Sequence, residues 1–303
     1  MSFFLATAAA GSVIDTTFLN FDLGVFEFFG NLHNEVLTVI AKALTALGET
    51  KYVVMVALIG LILILFKRTR KYGLALVFAI IIGTLLTNII IKPMVLRIRP
   101  YNTLQDISSY FGWYQSAGML AESDYSFPSG HTTGAMEIAV VLCMSFASAG
   151  KKKIAWIFPV LAVLTACSRV YLMVHYATDV IPALFIGALA GILGYLISSL
   201  ITRKCSGAFF WHRLDLERLF VKKSHKQISA KAATIACLAA WVIIFAISFT
   251  SVLHAGGDTL RCAYDGEYTC YNEAQTGSKY PAIDGKYYCK IHWKELNGQN
   301  QTD

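Results

Sequence analysis

Long apolar runs recur along the chain, and they constrain its fold more than any other feature. They occupy residues 52–66, 74–91, 132–148, 154–167, 180–201 and 232–253. A helix needs about 20 mostly apolar residues to cross the hydrocarbon core of a bilayer, and several runs approach or exceed that length. Only 15% of the 303 residues are charged, whereas a soluble domain has about 25%. The sequence therefore predicts an all-α, multi-pass transmembrane helical bundle.

Basic residues are concentrated in three short segments between the apolar runs. KRTRK occupies 67–71, KKK occupies 151–153, and eight Lys and Arg residues lie within 203–231. If each run crosses once, these segments share one side, which the positive-inside rule makes cytoplasmic. Residues 92–129, 168–178 and 254–303 then face outward. The net charge of +7 is thus attributed to membrane topology, and no nucleic-acid partner is expected.

The N-terminal part of the chain is harder to assign. No Lys or Arg precedes Lys42, so the basic region of a signal peptide is missing. Residues 1–22 are expected to form a surface or re-entrant segment, and a first span is expected within 23–47. This span completes a six-span core over 23–202, and 232–253 forms a seventh span.

Two C-terminal segments differ in composition from this core. Residues 203–231 interleave basic and aromatic residues, which favours an interfacial helix on anionic inner-leaflet lipids over a plain connecting loop. In the outer tail, 254–303, the sequences DGEYTC (265–270) and DGKYYC (284–289) each pair an Asp-Gly turn signal with a strand-like aromatic stretch. A small β-rich tail is therefore predicted, on the face where it could shade a site.

The seven cysteines fall into two groups. Four lie in or beside the spans and are expected to act as small apolar residues: Cys143, Cys167, Cys205 and Cys237. The other three, Cys262, Cys270 and Cys289, lie in the tail near His292. Together these four side chains predict a structural Cys₃His zinc site. The outer location favours a disulfide instead, and free thiols are the third alternative.

Three polar clusters lie at the outer ends of spans, and the topology predicts that they converge. They are KPMVLRIRP at 92–100, FPSGH at 127–131 and SRVYLMVHYATD at 168–179. Lys92, Arg99 and Arg169 are three cations, and guanidinium groups match the geometry of phosphate oxygens. Ser129 is placed to cap the following helix and Gly130 lets a ligand approach the backbone, so the helix N-terminus can bind an anion. These parts predict a phosphate cradle.

Two histidines give the cradle its chemistry. His175 and Asp179 are four residues apart and share one helix face. Asp179 is expected to fix the tautomer that leaves Nε2 of His175 free as a nucleophile, while His131 protonates the leaving oxygen. This arrangement predicts phosphoryl transfer through a phosphohistidine without a divalent metal, because the three cations stabilise the charge. Arg97, outside the pattern, is interpreted as a snorkelling residue at a span end.

These residues resemble the type 2 phosphatidic acid phosphatase (PAP2) superfamily. Its motifs K-x6-R-P, P-S-G-H and S-R-x5-H-x3-D are matched within 92–100, 128–131 and 168–179, and the resemblance covers about 25–200. It implies a six-helix membrane core, with His175 as nucleophile, Asp179 as its orienting partner and His131 as acid. It also implies five phosphate-binding residues: Lys92, Arg99, Ser129, Gly130 and Arg169. The extra span and tail depart from the common pattern.

The leading hypothesis is a metal-independent lipid phosphate phosphatase in the cell membrane, with its site on the extracytoplasmic side. Undecaprenyl diphosphate is the first candidate substrate, on the assumption that the protein is bacterial, followed by phosphatidylglycerophosphate and phosphatidate; a soluble phosphate ester is less favoured.

A lipid phosphotransferase of the same superfamily is one alternative. A transporter or scramblase predicts mid-depth ionisable residues and inverted repeats, which the sequence lacks. A scaffold with a decayed site conflicts with the complete motifs, and the spans exclude the soluble haloperoxidase branch. The oligomeric state is not indicated.

Overall fold

Helices dominate the computed structural model, which describes residues 2–204, 230–254, 260–266, 269–276 and 278–299. The first part of the chain forms α1 (Ser2–Gly30), α2 (Glu35–Thr45), a 3₁₀ turn (Ala46–Gly48), α3 (Thr50–Ile64), α4 (Arg70–Thr84), a π-helical segment (Leu85–Ile91), α5 (Lys92–Val95), α6 (Pro100–Thr103) and α7 (Ser108–Ser116). The second part forms α8 (Gly130–Ser148), α9 (Lys152–Ala155), α10 (Ile157–Tyr171), α11 (Ala177–Lys204), α12 (Ala230–His254) and α13 (Lys290–Gln299).

Several of these helices suit a membrane. Within the described ranges, three segments are long and apolar enough to cross one: Arg70–Thr103, Lys152–Tyr171 and Ala177–Lys204. The pair Glu35–Gly48 and Thr50–Ile64, bent by 41°, makes a fourth if it counts as one span. A shorter apolar stretch, Ala239–Leu253, lies in α12. The mostly helical membrane architecture is confirmed, whereas the count of seven spans stays a prediction.

The helices near the N-terminus do not follow the limits expected for the first span, and the position of that span stays a prediction. The expected limit between residues 22 and 23 falls inside α1, and the helix breaks within 23–47, at residues 31–34. The reason is local: Asn34 is the N-cap of α2, and its Oδ1 accepts a hydrogen bond from the backbone N–H of Leu37 at 2.9 Å. Asn and Ser side chains that bond nearby backbone groups compete with helix continuation, so the apolar pattern alone does not carry a helix through this stretch.

Glycines allow α11 to pack closely in the centre of the bundle. A Cβ on Gly187 would lie 2.6 Å from the backbone oxygen of Thr133, and one on Gly191 would lie 2.7 Å from Val140. Both contacts are with α8, and glycines one helical turn apart permit such close packing of two helices. On another face, a Cβ on Gly194 would lie 2.6 Å from the backbone nitrogen of Ala79 in α4. The N-termini of α8 and α11 are thereby held side by side, since Ser129 N donates to the Asp179 carbonyl at 3.3 Å.

The chain direction places the polar clusters and the basic segments at opposite ends of the bundle. α4 leads from the KRTRK segment towards Lys92, and α11 leads from Asp179 back to Lys204. At the far end, Lys71 Nζ donates to the Tyr195 hydroxyl at 2.9 Å, which ties the start of α4 to the last third of α11. Residues 205–229, which hold most of the predicted interfacial helix, lie outside the described residues, as does the side chain of Cys237.

Helix α1 packs across the end of the bundle that carries the polar clusters. Phe26 contacts the rings of Tyr110 and Tyr176, with centroids 4.9 Å and 5.8 Å away. Asp22 is 1% exposed, and its Oδ1 accepts from the backbone N–H of Thr178 at 3.0 Å. The N-terminal helix therefore covers the start of α11.

The predicted β-rich tail is not confirmed in the part of 254–303 that the structure describes. Its described residues contain only isolated antiparallel bridges, which pair Arg261 with Glu273, Asp265 with Thr269, and Ile283 with Lys286, followed by α13. The Asp284-Gly285 turn does form, with φ of 52° and 75°. The aromatic stretch after it bonds to other parts of the tail instead of extending a hairpin: Ala263 N donates to Tyr287 O, and Gln275 N to Tyr288 O, both at 2.9 Å.

Candidate active site

The three polar clusters line one cavity of about 900 Å³. Five of the predicted residues are in its wall: Lys92, Arg99, Gly130, His131 and His175. The other three lie behind it or beside it and are buried: Ser129, Arg169 and Asp179. The convergence expected from topology is thus present, and α13 of the tail adds Lys290 and Lys294 to the same wall.

An irregular stretch of helix positions the first polar cluster, KPMVLRIRP at 92–100. The π-helical segment Leu85–Ile91 precedes Lys92, and such segments are frequent at functional sites. Helix α5 then ends at Leu96 in the left-handed conformation, with φ of 54°, which turns the backbone sharply. The turn brings Arg97 and Arg99 inward, where they are 1% and 2% exposed.

His175 and Asp179 form the predicted pair. The Nδ1 of His175 lies 3.3 Å from Oδ2 of Asp179, and its Nε2 lies 3.1 Å from Nη1 of Arg99. Because a guanidinium only donates, Nε2 must accept, so the proton of the neutral ring sits on Nδ1. Burial, together with Arg99 and Arg169, holds the pKa of His175 well below its ordinary value. The ring is neutral at pH 7, and its Nε2 lone pair faces the cavity cations.

Asp179 is held by further donors that the motif did not reveal. Its Oδ2 also accepts from the backbone N–H of Tyr176 at 3.0 Å and from the hydroxyl of Ser126. Its Oδ1 accepts from Arg97 at 2.7 Å. These bonds fix the carboxylate that orients His175.

The N-terminus of α8 faces the cation cluster. Ser129 is its N-cap, and its side chain accepts from the backbone N–H of Thr132, as its position predicts. A Cβ on Gly130 would lie 3.6 Å from Asn88 Oδ1 and 3.9 Å from Lys92 Nζ. The backbone of Gly130 therefore stands directly opposite the Lys92 ammonium, as an anion site at a helix N-terminus requires.

Two carboxylates from the loop before α8 pair with the cradle cations. Asp124 bonds Lys92 Nζ and Arg99 Nη2, both at 2.6 Å, and Glu122 bonds Arg169 Nη2 at 2.5 Å. Burial alone would raise the pKa of Asp124, but Lys92 and Arg99 more than offset this and hold it well below its ordinary value. Sequence reasoning missed both carboxylates, although the loop contains an acidic pair, ESD.

The Nε atom of Arg169 lacks a hydrogen-bond partner among the described residues, although it is buried. The other two nitrogens of this guanidinium are occupied, by Thr45 Oγ1 at 2.9 Å and by Glu122. A buried donor without an acceptor is costly. An anion in the cradle would supply that acceptor.

His131 lies between two carboxylates. Its Nε2 is 3.1 Å from Oε2 of Glu49, and its Nδ1 is 3.8 Å from Oε1 of Glu122. Glu49 stands at the joint between α2 and α3, and a Cβ on Gly48 would lie 2.2 Å from the His131 carbonyl oxygen. Sequence reasoning missed Glu49 because it lies outside every motif.

The interpretation of Arg97 as a snorkelling residue is wrong. Its side chain is fully buried, its guanidinium lies 3.6 Å from the ring centre of Tyr176, and it bonds three carboxylates. The partners are Asp15 and Asp179 at 2.7 Å and Asp22 at 3.0 Å. Asp15 and Asp22 are seven residues apart on one face of α1 and require a cation, but nothing near them in the sequence identifies Arg97 as that cation.

Comparison with known proteins matches the part of the chain that carries the site. The profile of the PAP2 superfamily matches residues 72–203. Undecaprenyl-diphosphatase of Sulfolobus acidocaldarius is 33% identical over 142 residues, which are 46% of this chain and 61% of that protein. Phosphatidylglycerophosphatase B of Bacillus subtilis is 31% identical over 164 residues, or 52% of this chain and 70% of that protein. The chain thus covers less than two thirds of the undecaprenyl-diphosphatase and more than two thirds of phosphatidylglycerophosphatase B.

Lipid A 4'-phosphatase of Porphyromonas gingivalis is a further relative, 28% identical over 148 residues, with 48% of this chain and 60% of that protein covered. Among solved structures, a transmembrane PAP2 type phosphatidylglycerolphosphate phosphatase from Bacillus subtilis aligns with a TM-score of 0.52 and 26% identity. The alignment covers 67% of this chain and 96% of that structure. The resemblance drawn from the three motifs is confirmed, and the chain belongs to the PAP2 superfamily.

Proposed function

We propose that this membrane protein hydrolyses a lipid phosphate or diphosphate through a phosphohistidine formed at His175. The observation that carries the proposal is the shape of the cavity. At one end it is lined by Lys92, Arg99 and His175, and at the other by apolar side chains of α3, including Val54 and Leu58. Those two side chains are 51% and 54% exposed on the outside of the helices, which is the surface that lipid contacts.

An amphiphile matches this arrangement better than a soluble ester. A phosphate headgroup is complementary to the cations, and an acyl or isoprenyl chain is complementary to the apolar side chains of α3 that line the cavity. A volume of about 900 Å³ is at the upper end of the usual range for small-molecule sites. The substrate can enter sideways from the bilayer without leaving it.

The reaction follows from the positions of the side chains. Nε2 of His175 attacks phosphorus, and the Nδ1 proton stays in its bond to Asp179. The bond from phosphorus to the leaving oxygen breaks, and His131 gives that oxygen a proton. His131 then removes a proton from water, which attacks the phosphohistidine and returns His175 to its neutral form. Lys92, Arg99 and Arg169 stabilise the charge on the phosphoryl oxygens in both steps.

When phosphate binds, Glu122 must release Arg169, and Asp124 must release Lys92 and Arg99. Arg99 also releases Nε2 of His175, because the lone pair that accepts its N–H is the one that attacks. In return, a phosphoryl oxygen can accept from Arg99 and from Nε of Arg169. The loop carboxylates neutralise the buried cations, which lowers the cost of burying them.

The names of the relatives favour lipid headgroups of the envelope. Two are an undecaprenyl-diphosphatase and a phosphatidylglycerophosphatase, and a third is a lipid A 4'-phosphatase. Undecaprenyl diphosphate is our first substrate, with phosphatidylglycerophosphate and phosphatidate next. We place the site on the extracytoplasmic side, because the basic segments lie at the opposite end of the bundle. We propose that no divalent metal takes part in the reaction.

The test is phosphate release in detergent from each of these lipids and from glycerol 3-phosphate. Wild type should prefer a lipid, with no dependence on added Mg²⁺ or Mn²⁺. His175→Ala should lose at least about a thousandfold in kcat. His33→Ala is the matched control, since His33 bonds the backbone oxygen of Tyr171 away from the cavity, and it should retain activity.

Three results would contradict the proposal. Full activity of His175→Ala would exclude the nucleophile, and a requirement for added metal would exclude the metal-free mechanism. Transfer of the phosphoryl group to an added lipid alcohol in preference to water would identify a phosphotransferase.

A further inference from the structure

Four side chains of the tail form a buried cluster apart from the phosphatase residues. Cys262, Cys270, Cys289 and His292 are 7%, 2%, 0% and 3% exposed. One sulfur or nitrogen atom from each lies within 4.8 Å of all the others. Nδ1 of His292 is 3.3 Å from Sγ of Cys262 and 3.4 Å from Sγ of Cys289. Four soft or borderline donors thus surround one point.

These distances match the edges of a tetrahedral zinc site. With Zn–S of about 2.3 Å and Zn–N of about 2.0–2.1 Å, the edge from sulfur to nitrogen is about 3.5 Å. Three thiolates and one imidazole are a common ligand set for structural zinc, which has no open position for substrate. A disulfide would use two of the three sulfurs and would leave the third sulfur and the imidazole without a role.

The surroundings of the cluster also suit a metal. The backbone N–H of Cys289 donates to Sγ of Cys262 at 3.2 Å, and Nδ2 of Asn272 lies 3.5 Å from Sγ of Cys289. Such donors stabilise thiolates. The ring of Tyr264 stacks on His292 at 3.8 Å between centroids, which fixes the plane of the imidazole. We propose that Cys262, Cys270, Cys289 and His292 bind one structural zinc ion.

The residues next to the ligands hold the loop that carries the two site carboxylates. Arg261, beside Cys262, donates to the carbonyl oxygen of Met119 at 2.7 Å. Lys290, beside Cys289, donates from its backbone to Ser123 O at 3.1 Å. These contacts fasten residues 119–123 from two sides.

A third contact comes from the segment that follows Cys270. Glu273 N donates to Glu122 O at 3.0 Å, and the Asn272 Oδ1 accepts from Tyr101 and Asn102 at 2.9 Å and 3.0 Å. Three separate stretches of the tail therefore meet at the metal and grip the loop together. The ion acts as a clasp: it holds the tail segments that position the loop bearing Glu122 and Asp124 beside the cradle cations. It takes no part in phosphoryl transfer.

The first test is elemental analysis of the purified full-length protein. Wild type should contain about one zinc per chain, and Cys289→Ser should contain less than about a tenth of that. Cys143→Ser, which removes a cysteine of α8, should keep its zinc. Cobalt(II) in place of zinc should show thiolate-to-metal charge transfer and the visible bands of a tetrahedral site. His175→Ala should bind the same amount of zinc as wild type, so this test is independent of the proposed reaction.

Thiol titration of denatured wild type separates zinc from a disulfide and requires no variant. Zinc predicts that all seven cysteines react, whereas a disulfide leaves five. Wild type without zinc, or with five reactive thiols, would overturn the proposal. If zinc is the clasp, its loss should also increase amide hydrogen exchange at 119–124 by at least about tenfold. Unchanged exchange there would refute the link to the loop.

Discussion

Arg97→Lys keeps the positive charge but removes the planar, three-nitrogen geometry beneath the nucleophile. The guanidinium donates from Nε to Asp15, from Nη1 to Asp179 and from Nη2 to Asp22. The single nitrogen of lysine cannot take all three positions. The substitution therefore tests whether the shape of the cation, rather than its charge alone, is required.

The expected loss follows from the burial of the partners. Asp22 and Asp179 have side-chain exposures of 1% and 0%, whereas Asp15 is 31% exposed and can be hydrated. Losing a charge-assisted hydrogen bond costs about 1.5–3 kcal/mol, and leaving a buried partner uncompensated costs about 3–5 kcal/mol. We expect the free energy of unfolding to fall by about 3–5 kcal/mol. Because Asp179 also orients His175, kcat should fall by about 10–100-fold.

Thermal unfolding in detergent and phosphate release at saturating lipid measure the two effects. At about 2–4 °C per kcal/mol, the unfolding midpoint should fall by about 10 °C. Arg68→Lys, at an exposed position between α3 and α4, is the control and should change the midpoint by no more than about 2 °C. A midpoint and kcat equal to wild type would refute the reasoning. A change confined to KM would instead place Arg97 in substrate binding.

Three further predictions concern the loop, the nucleophile and the helix packing. Asp124→Asn removes the carboxylate shared by two cradle cations, so inorganic phosphate should inhibit about tenfold more strongly; weaker inhibition would mean that Asp124 serves to orient them. Because the pKa of His175 is lowered by folding, the unfolded chain gains a proton below about pH 6.5 that the folded chain does not. Stability should then fall by about 1.4 kcal/mol per pH unit on acidification, and His175→Asn should flatten this slope of the unfolding midpoint. Gly187→Ala places a Cβ 2.6 Å from a backbone oxygen of α8 and should lower both the midpoint and kcat, whereas Gly24→Ala, with open space around its Cβ, should change neither.

The placement of the eight motif residues follows from sequence because their chemistry restricts their neighbours. The sequence puts three cations, a helix N-terminus and a His-Asp pair at the same ends of the spans. Such groups require an anion, and few arrangements of the spans let one anion contact all of them. Arg97 has the same residue type and nearly the same position as Arg99. Its role depends on Asp15 and Asp22, which are more than 70 residues earlier in the chain, and no local pattern records that contact.

Local structure was predicted least well where two weak preferences competed. The apolar pattern through residues 23–47 favours one helix, but the Asn34 cap ends that preference and starts a new helix. In the tail, the Asp284-Gly285 turn forms as predicted, while the aromatic residues after it bond to neighbouring segments instead of pairing as strands. A local side-chain cap decided the first outcome and contacts between tail segments decided the second, and a periodicity argument includes neither.

The contact between α1 and Arg97 has a consequence for how this chain arose. The match to the superfamily profile begins at residue 72, so α1 lies outside the residues matched by that profile. Without α1, Arg97 would keep its bond to Asp179. Water could then hydrate the rest of the guanidinium, so the loss of stability would be small. Without Arg97, the aspartates at 15 and 22 would lose their common cation, and Asp22 would keep its bonds to Thr178 but would be a buried carboxylate without a counter-ion. The arginine can therefore precede the helix in evolution, but the two aspartates cannot precede the arginine. Among relatives, aspartates at both α1 positions should occur only in chains that already carry arginine at the position of Arg97.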